Sequence, residues 1–265
     1  MMGVDPQTLA LLCAVAAFAG CVDAIGGGGG LLTVPALMLA GLDPVSAIAT
    51  NKAQGAASAC SSALAFARAK LIDWRAAAPI ALVAGAASIA GALSVTLVDR
   101  RLLEALAPTL LIAIALYFLL APRLSDKDAH ARIGPAMFAA TVAPLVGFYD
   151  GVFGPGAGSF YTIGFVSLLG YGMGRATAHT KFANAASNLG SLGLYAITGA
   201  VVWPVGIAMA VFAFLGAQVG ARLAMRMGTR LIRPLLVVVC CAMAAKLLAD
   251  PANPLRHALT GLFAR

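Results

Sequence analysis

Two lysines, Lys52 and Lys181, stand at matching places in two similar apolar stretches of the chain. Lys52 follows Asp43-Pro44, a typical helix start, and Lys181 follows Gly174 at a similar spacing. At 1.5 Å per residue, Lys52 is predicted to lie roughly 12 Å inside its helix. A lysine near the centre of a membrane helix costs about 3 kcal/mol, so a symmetric pair favours a functional role over a snorkelling or structural one. A buried ammonium group suits a small oxyanion such as sulfite, sulfate, a sulfonate or a carboxylate.

A glycine-rich break precedes each lysine-bearing segment. Each glycine costs about 1 kcal/mol relative to alanine inside a helix, so the chain is predicted to break there and to expose backbone N–H groups. N–H groups at helix N-termini carry partial positive charge, and together with the lysines they predict an electropositive anion pocket. The predicted substrate-binding residues are Lys52, Lys181, Asn51, Thr180, Gly28, Gly30, Gly156 and Gly158.

Two aspartates, Asp23 and Asp150, directly precede the glycine breaks. A carboxylate inside a membrane is a functional candidate by default. It could carry a proton that couples transport to the proton gradient, pair with a lysine to keep the empty site neutral, or cap the broken helix end. His179, two residues before Lys181, could titrate or simply bond a neighbouring carbonyl. We predict Asp23, Asp150 and His179 as coupling or gating residues.

Hydroxyl and amide side chains flank both lysines at helical spacing. They are Asn51, Gln54, Ser58, Thr180, Asn184, Ser187 and Asn188. Such groups could bind the anion or bridge neighbouring helices. For Ser58 and Ser187 we expect packing as the main role.

The composition indicates an integral membrane protein. Hydrophobic residues make up 61% of the 265 residues and charged residues only 11%, whereas a soluble domain carries about 25% charged residues. Mean hydropathy is +0.93, and apolar runs of roughly 20 residues, long enough to cross a bilayer as helices, recur along the chain. The net charge of +8 comes from short basic clusters between these runs, which is typical of cytoplasmic loops and argues against nucleic-acid binding.

No sequence motif predicts catalysis, a metal site or a cofactor. The five cysteines all lie in apolar stretches without metal-ligand spacing. P-loop and HExxH motifs are missing, and Glu104 is the only glutamate, which excludes a paired-glutamate mechanism. We therefore expect no catalytic residues, no metal and no cofactor.

A polar stretch around 122–134 divides the chain into a predicted first membrane repeat, 1–125, and a second, 126–265. Each half contains five apolar segments, of which the second is short. The segments are 8–25, 28–41, 44–67, 77–97 and 102–121, then 135–153, 156–170, 174–198, 203–222 and 231–249. The predicted fold is an all-α integral membrane protein with about 8–10 transmembrane segments and short helices broken at glycine.

The distribution of basic residues predicts the orientation in the membrane. If the short segments cross the membrane, the loop charges separate into a large and a small group, whereas re-entrant segments would divide them almost evenly. The larger group is Arg68, Lys70, Arg75, Arg123, Lys127, Arg132, Arg175, Arg222, Arg226, Arg230 and Arg233, and the smaller is Arg100, Arg101, Arg256 and Arg265. The positive-inside rule favours crossing, with the larger group cytoplasmic and both termini periplasmic. Five spans in each half would make the repeats inverted, with a pseudo-twofold axis in the membrane plane.

Several short motifs occur together along nearly the whole chain. They are the run Gly26 to Gly30 with Leu31 and Pro35, Ala49-Thr50-Asn51-Lys52, Gly147-Phe148-Tyr149-Asp150-Gly151, Gly154-Pro155-x-x-Gly158-Ser159-Phe160 and Ala176-Thr177-Ala178-His179-x-Lys181. In this combination the chain resembles the sulfite exporter TauE/SafE family of membrane permeases, also called TSUP. The resemblance implies a bacterial inner-membrane transporter, in a family that is implicated in moving sulfur-containing anions such as sulfite, sulfoacetate or sulfolactate. Members of the family are commonly assigned about seven to nine spans, fewer than the segments counted above.

These observations predict a secondary transporter that exports small sulfur-containing organic or inorganic anions, with one repeat rocking against the other. The expected partners are the lipid bilayer and a small anion, with protons as the candidate coupling ion. The oligomeric state is left open. An uncoupled anion channel with the same pocket is the first alternative. An intramembrane enzyme or assembly factor is the second, although the missing nucleophile–base pair counts against it.

Overall fold

The computed structural model describes residues 5–95 and 126–227, together with positions 234, 237, 238, 241, 242 and 245. Regular structure in these ranges is helical, which confirms the predicted all-α class. The helices are α1 (Pro6–Gly26), α2 (Gly29–Leu39), α3 (Pro44–Arg68), α4 (Trp74–Ser94), α5 (Pro135–Val152), α6 (Ala157–Ser167), α7 (Met173–Ile197) and α8 (Trp203–Met227). The predicted segments 102–121 and 231–249 lie outside the described residues, apart from a few positions of the second.

Four of the long helices are apolar enough to cross a membrane. Their most apolar windows have mean hydropathies of 2.1 in α1, 1.9 in α4, 1.2 in α5 and 1.7 in α8. Helices α3 and α7 are at least as long as these four, at 25 residues each. They differ from them in carrying the polar residues that flank the lysines. Because these polar faces are buried against other helices, the two central helices need no continuous apolar surface. The chain is therefore a multi-pass membrane protein.

Aspartates start several helices, among them α3, whose start Asp43-Pro44 predicted. Asp5, Asp43 and Asp73 each accept hydrogen bonds from the backbone N–H groups of the next turn. Helix α7 begins after Gly172, which has no side chain to cap it. There the N–H of Gly172 donates to Asp128 Oδ1 at 2.8 Å, so a carboxylate of the link between the halves reaches this helix start.

Glycine breaks produce the short helices α2 and α6, as predicted. At the first break Gly27 and Gly28 have φ of +83° and +103°, and at the second Gly154 and Gly156 have φ of +93° and +87°. This left-handed region is accessible to glycine at little cost. Each short helix has 11 residues, or about 16 Å, roughly half the thickness of a bilayer core. They are shorter than the predicted segments 28–41 and 156–170 because the chain leaves the helix before each following turn.

Helices α1 and α2 form an antiparallel hairpin whose tip lies inside the bundle. Leu12 and Ala16, early in α1, share a buried cluster with Val34 and Leu37, late in α2. The chain therefore returns to the end of the bundle from which α1 began, and the crossing of the membrane by the short segments stays a prediction. Helices α5 and α6 also contact one another and are joined by the second glycine break.

The two halves of the chain interlock. Helix α4 of the first half packs on α5 and α7 of the second, and α8 of the second half packs on α1 and α3 of the first. Helices α3 and α7 contact each other. Exchanging the halves converts the α4–α5 contact into α8–α1 and the α4–α7 contact into α8–α3, and it leaves the α3–α7 contact unchanged. The boundary between repeats 1–125 and 126–265 stays a prediction, because 96–125 lies outside the described residues.

The two hairpins open toward opposite ends of the bundle. Arg175, at the start of α7, lies 3.5 Å from Asp73 in the loop between α3 and α4. The turn between α6 and α7 is therefore at the end where α3 finishes. The turn between α2 and α3 is at the other end of α3, which is about 37 Å long. A twofold axis in the membrane plane would explain this arrangement, and the inverted repeat stays a prediction.

Candidate functional site

The tips of the two hairpins meet at the two glycine breaks. A Cβ added to Gly27 would lie 2.8 Å from the backbone carbon of Gly158 and from the nitrogen of Ser159. A Cβ on Gly30 would lie 3.6 Å from Pro155 Cα. Only glycine permits the first approach, because any side chain at Gly27 would collide with backbone. The breaks therefore bring the two halves into direct backbone contact.

A small polar cavity lies where the tips meet. Its lining residues are Asp23, Gly28, Gly29, Gly30, Asn51, Gln54, Gly55, Asp150, Gly154, Gly156, Ala157, Gly158, Asn184 and Asn188. Its volume of about 20 Å³ has room for about one water molecule. Most of the residues predicted from sequence to bind substrate are in its wall, whereas Lys52, Lys181 and Thr180 stand behind it.

Each lysine forms an ion pair with the aspartate of the other half. Lys52 Nζ lies 2.7 Å from Asp150 Oδ1 and also donates to the backbone carbonyl of Asp150. Lys181 Nζ lies 3.2 Å from Asp23 Oδ2. Both lysines are 0% exposed, and Asp23 and Asp150 are 7% and 2% exposed. The site therefore carries two crossed, buried ion pairs and no net charge, rather than the purely electropositive pocket that the lysines and glycines alone suggested.

The two pairs differ in how well the lysine is hydrogen-bonded. Lys52 has two acceptors on Asp150, whereas Lys181 Nζ has no hydrogen bond of good geometry among the described residues. Asp23 also accepts from Gly29 N at 3.3 Å and from Ser58 Oγ at 3.1 Å. The 3.2 Å contact of Lys181 with Asp23 is thus an ion pair by distance only, and the Lys181 ammonium keeps unused donors.

Serines that were expected to serve packing instead hold the aspartates. Ser58 donates to Asp23 Oδ2 at 3.1 Å, and Ser187 donates to Asp150 Oδ2. Asn188 Nδ2 adds a contact to Asp150 Oδ2 at 3.3 Å. The two serines are equivalent positions in the two halves, so both carboxylates are oriented in the same way.

Two threonines of the short helices belong to the site, although the sequence patterns did not identify them. Thr33 Oγ1 lies within hydrogen-bond distance of Asn51 Oδ1 and of Gln54 Oε1, the second at 3.3 Å. Thr162 Oγ1 lies 3.2 Å from Thr180 Oγ1. The separation between Thr33 and Thr162 is 129 residues, the same as between the two lysines, and this shared offset is the signal that could have found them.

His179 is placed away from the cavity wall. Its Nδ1 lies 2.9 Å from the carbonyl oxygen of Arg175, and its Nε2 accepts the backbone N–H of Asp73 at 3.2 Å. Its ring packs edge-on against Tyr171, with centroids 4.9 Å apart. The structure thus joins His179 to the loop between α3 and α4, not to the lysines. No group of three or more His, Cys, Asp or Glu side chains in the described ranges is placed to hold a metal ion.

A charged cluster covers the start of α7. Arg175 contacts Asp128 at 2.7 Å and Asp73 at 3.5 Å, and its guanidinium lies 3.9 Å above the centre of the Tyr171 ring. The hydrogen bond from Gly172 N–H and the contact with Arg175 lower the pKa of Asp128 below its ordinary value. The loops that meet here are those predicted to face the cytoplasm.

Comparison with known proteins agrees with this architecture. The family model of the sulfite exporter TauE/SafE matches residues 12–247. A Sinorhizobium protein described as a probable membrane transporter, ORF9, is 50% identical over 248 residues, which cover 94% of this chain and 95% of that protein. The probable membrane transporter YfcA of Escherichia coli K12 is 45% identical over 247 residues, covering 93% of this chain and 92% of YfcA.

A probable membrane transporter from Haemophilus influenzae is 40% identical over 249 residues, covering 94% of this chain and 98% of that protein. No solved structure matches the chain significantly. The match to the family model spans both hairpins and both lysine helices. The chain is therefore a multi-pass membrane transporter that belongs to the sulfite exporter TauE/SafE family.

Proposed function

We propose that the chain is a secondary transporter of small sulfur-containing anions in the bacterial inner membrane. Export is the direction that the family name indicates, and both termini would be periplasmic. The observation that carries the proposal is the pair of crossed Lys–Asp contacts where the two hairpin tips meet. Ionisable residues inside a membrane protein are costly, and they mark substrate or ion pathways.

The substrate would compete with the aspartates for the lysines. The ammonium groups of Lys52 and Lys181 are neutralised in the empty site, so an incoming oxyanion replaces a carboxylate rather than entering a site of excess positive charge. The N-termini of α2 and α6, which line the cavity, add partial positive charge on two sides. Lys181 would make the first contact, because its ammonium has unused donors.

Protons would travel with the anion. If Asp23 or Asp150 takes up a proton, its lysine is freed for the substrate, and the loaded site returns to low net charge. The two aspartate roles considered from sequence, neutralising the site and carrying a proton, would then be two states of one ion pair. A loaded site of low net charge crosses an apolar barrier at lower cost than a charged one. Export would be driven by the outward gradient of the anion itself.

Alternating access would separate the hairpin tips. A cavity of about 20 Å³ is too small for sulfite, so the tips must move apart for loading. The hairpins open toward opposite ends of the bundle, and each tip carries the aspartate that pairs with the lysine helix of the other half. Movement of one hairpin would therefore break one ion pair and expose one lysine to one side. This corresponds to rocking of one repeat against the other.

The test is flux of labelled sulfite in proteoliposomes, with and without an acid-outside pH gradient. We expect saturable uptake that the gradient stimulates and that Lys52→Gln and Lys181→Gln abolish. Lys70→Gln, at an exposed position in the loop between α3 and α4, is the control and should transport normally. A panel of sulfonates and carboxylates, tested in parallel, would define the substrate class.

Flux that neither saturates nor responds to the gradient would establish the channel alternative instead. Normal saturable flux in both lysine variants would reject the two-lysine site. Absence of flux for every anion in the panel, from correctly folded protein, would reject the proposal of an anion transporter.

A further inference from the structure

Two loops are fastened to the lysine helices by equivalent hydrogen bonds. The backbone N–H of Asp73, just before α4, donates to His179 Nε2 at 3.2 Å. The backbone N–H of Val202, just before α8, donates to Thr50 Oγ1 at 3.0 Å. Donors and acceptors are both separated by 129 residues, the offset that relates the two lysines. The two bonds are thus the same contact made once in each half.

Both acceptors are buried inside the bundle. Thr50 is 0% exposed and His179 is 1% exposed. Each stands two residues before the lysine on the same helix, so each bond ties a helix start to the segment that carries a lysine. The bond of His179 lies at the end of the bundle where α3 finishes. The bond of Thr50 lies at the opposite end.

The two acceptors differ in chemistry. His179 Nδ1 faces the carbonyl oxygen of Arg175, which can only accept, so Nδ1 carries a hydrogen. Nε2 must then be unprotonated to accept the N–H of Asp73, and the ring must be neutral. A proton on Nε2 would place two donors against each other and break the bond. The hydroxyl of Thr50 does not titrate in the physiological range, so its bond to Val202 is insensitive to protons.

The charged groups around His179 are already engaged with one another. Arg175 of α7 contacts Asp73 of the loop and Asp128 of the link, at 3.5 and 2.7 Å. Tyr171, in the turn between α6 and α7, contacts both the His179 ring and the Arg175 guanidinium. A second positive charge on His179 would be set beside Arg175 and would compete for the same two carboxylates. Protonation would therefore disturb the whole cluster that joins the loop, the link and α7.

We propose that His179 and Asp73 form a proton-sensitive clasp at one end of the transporter, and that Thr50 and Val202 form its proton-insensitive counterpart at the other. Protonation of Nε2 releases the start of α4 and favours opening of that end alone. The role of the clasp in transport rests on the function proposed above, because it makes one half of the alternating-access cycle respond to pH. By the charge distribution, the sensitive end is the one predicted to face the cytoplasm.

The clasp can be tested without substrate by hydrogen–deuterium exchange of the purified full chain. Peptides containing Asp73 and Val202 are compared at about pH 8 and about pH 4.5, so that the acid sample lies well below the ordinary histidine pKa, after correction for intrinsic exchange. We expect protection at Asp73 to fall about fivefold in acid, as loss of one hydrogen bond predicts. Protection at Val202 should not change.

Two variants make the test decisive. His179→Gln supplies an amide oxygen that accepts the same N–H without titrating, so the acid response at Asp73 should disappear. Thr50→His should create an acid response at Val202. An equal acid response at both loops of the wild type, or an unchanged response in His179→Gln, would overturn the proposal. If His179→Gln does not fold, the wild-type comparison and Thr50→His decide. Because no anion is added, failure of the clasp and failure of anion transport are separate outcomes.

Discussion

Lys52 and Asp150, 98 residues apart in sequence, lie 2.7 Å apart as a buried ion pair. The contact joins α3 of the first half to α5 of the second, and the pair of Lys181 and Asp23 makes the reciprocal connection. Removing one partner of a buried pair leaves an uncompensated charge, which destabilises by about 3–5 kcal/mol, whereas removing both costs much less. The pairs therefore hold the halves together, and in the proposed mechanism they are exchanged when a substrate binds.

This relationship predicts a strongly non-additive double-mutant cycle. Asp150→Asn alone should lower the Tm of the purified protein markedly, because it leaves the Lys52 ammonium buried without its counter-charge. Lys52→Met combined with Asp150→Asn should recover most of that loss. Thermal unfolding in detergent measures both.

The exposed pair of Asp128 and Arg175 provides the control for that cycle. Its side chains are 49% and 35% exposed. The same cycle there should therefore give a coupling energy of at most about 1 kcal/mol. If the Tm losses of Lys52→Met and Asp150→Asn were equal and simply added in the double variant, the two residues would not be a coupled pair.

The contact between the hairpin tips predicts a severe effect of a single methyl group. Gly27→Ala places a Cβ 2.8 Å from the backbone of Gly158 and should prevent the tips from meeting. Gly41→Ala is the matched control, because Gly41 also has a positive φ, +93°, but has open space around its Cβ position. Both variants incur the backbone strain of a side chain at positive φ, on the order of 1–3 kcal/mol.

Only Gly27→Ala should incur the additional collision. We expect Gly41→Ala to fold and transport with a modestly lowered Tm, and Gly27→Ala to lose flux and much of its stability. Equal behaviour of the two variants would show that the tips need not be in contact.

The threonines of the short helices should contribute to substrate handling. Thr33→Val and Thr162→Val keep the side-chain shape and remove the contacts with Asn51 and Thr180. Loss of one hydrogen bond of ordinary strength corresponds to about a fivefold fall in kcat/KM for the anion. Thr141→Val, which removes only a bond to the preceding turn of α5, should stay within about twofold of the wild type. Flux assays with full substrate titrations separate KM from kcat, and equal values for all three variants would remove Thr33 and Thr162 from the site.

The link between the halves should make stability depend on acid pH. The pKa of Asp128 is lowered in the folded protein, mainly by the N–H of Gly172. A lowered pKa contributes stability that is present above the unfolded value and is lost as pH falls through the folded value. Asp128 is half exposed, so the contribution should be at most about 1 kcal/mol. Tm should therefore fall below about pH 4, and less steeply in Asp128→Asn. If Tm depended on acid pH in the same way in the wild type and in Asp128→Asn, Asp128 would not be the group responsible.

Much of the fold was predictable from local sequence signals. Hydropathy predicted the long helices, Asp43-Pro44 predicted the start of α3, and the glycine runs predicted two broken hairpins. These features depend on residues close together in the chain. The ends of α2 and α6 were placed a few residues late, because the following turns are also apolar and hydropathy does not distinguish them from helix.

The partners within the site could not be predicted in the same way. Lys52 and Asp150 were both selected as intramembrane charges, but their pairing across 98 residues depends on how α4 and α8 interlock the halves. The serines that orient the aspartates lie six residues from the lysines, or about one and two-thirds turns, and look like ordinary packing residues in sequence. For His179, the bond to a neighbouring carbonyl was one of the predicted alternatives, and Arg175 supplies it. Its other partner is a backbone N–H in a distant loop, which no residue pattern encodes.

The most direct test of the central claim is calorimetric binding of a sulfonate that stays anionic near neutral pH, in buffers of different ionisation enthalpy. The dependence of the heat on the buffer gives the number of protons taken up with each anion. We predict saturable binding with uptake of about one proton per anion, lost in both Lys52→Gln and Lys181→Gln. Binding without proton uptake, or binding that survives loss of either lysine, would contradict an anion site made by exchange of the Lys–Asp pairs.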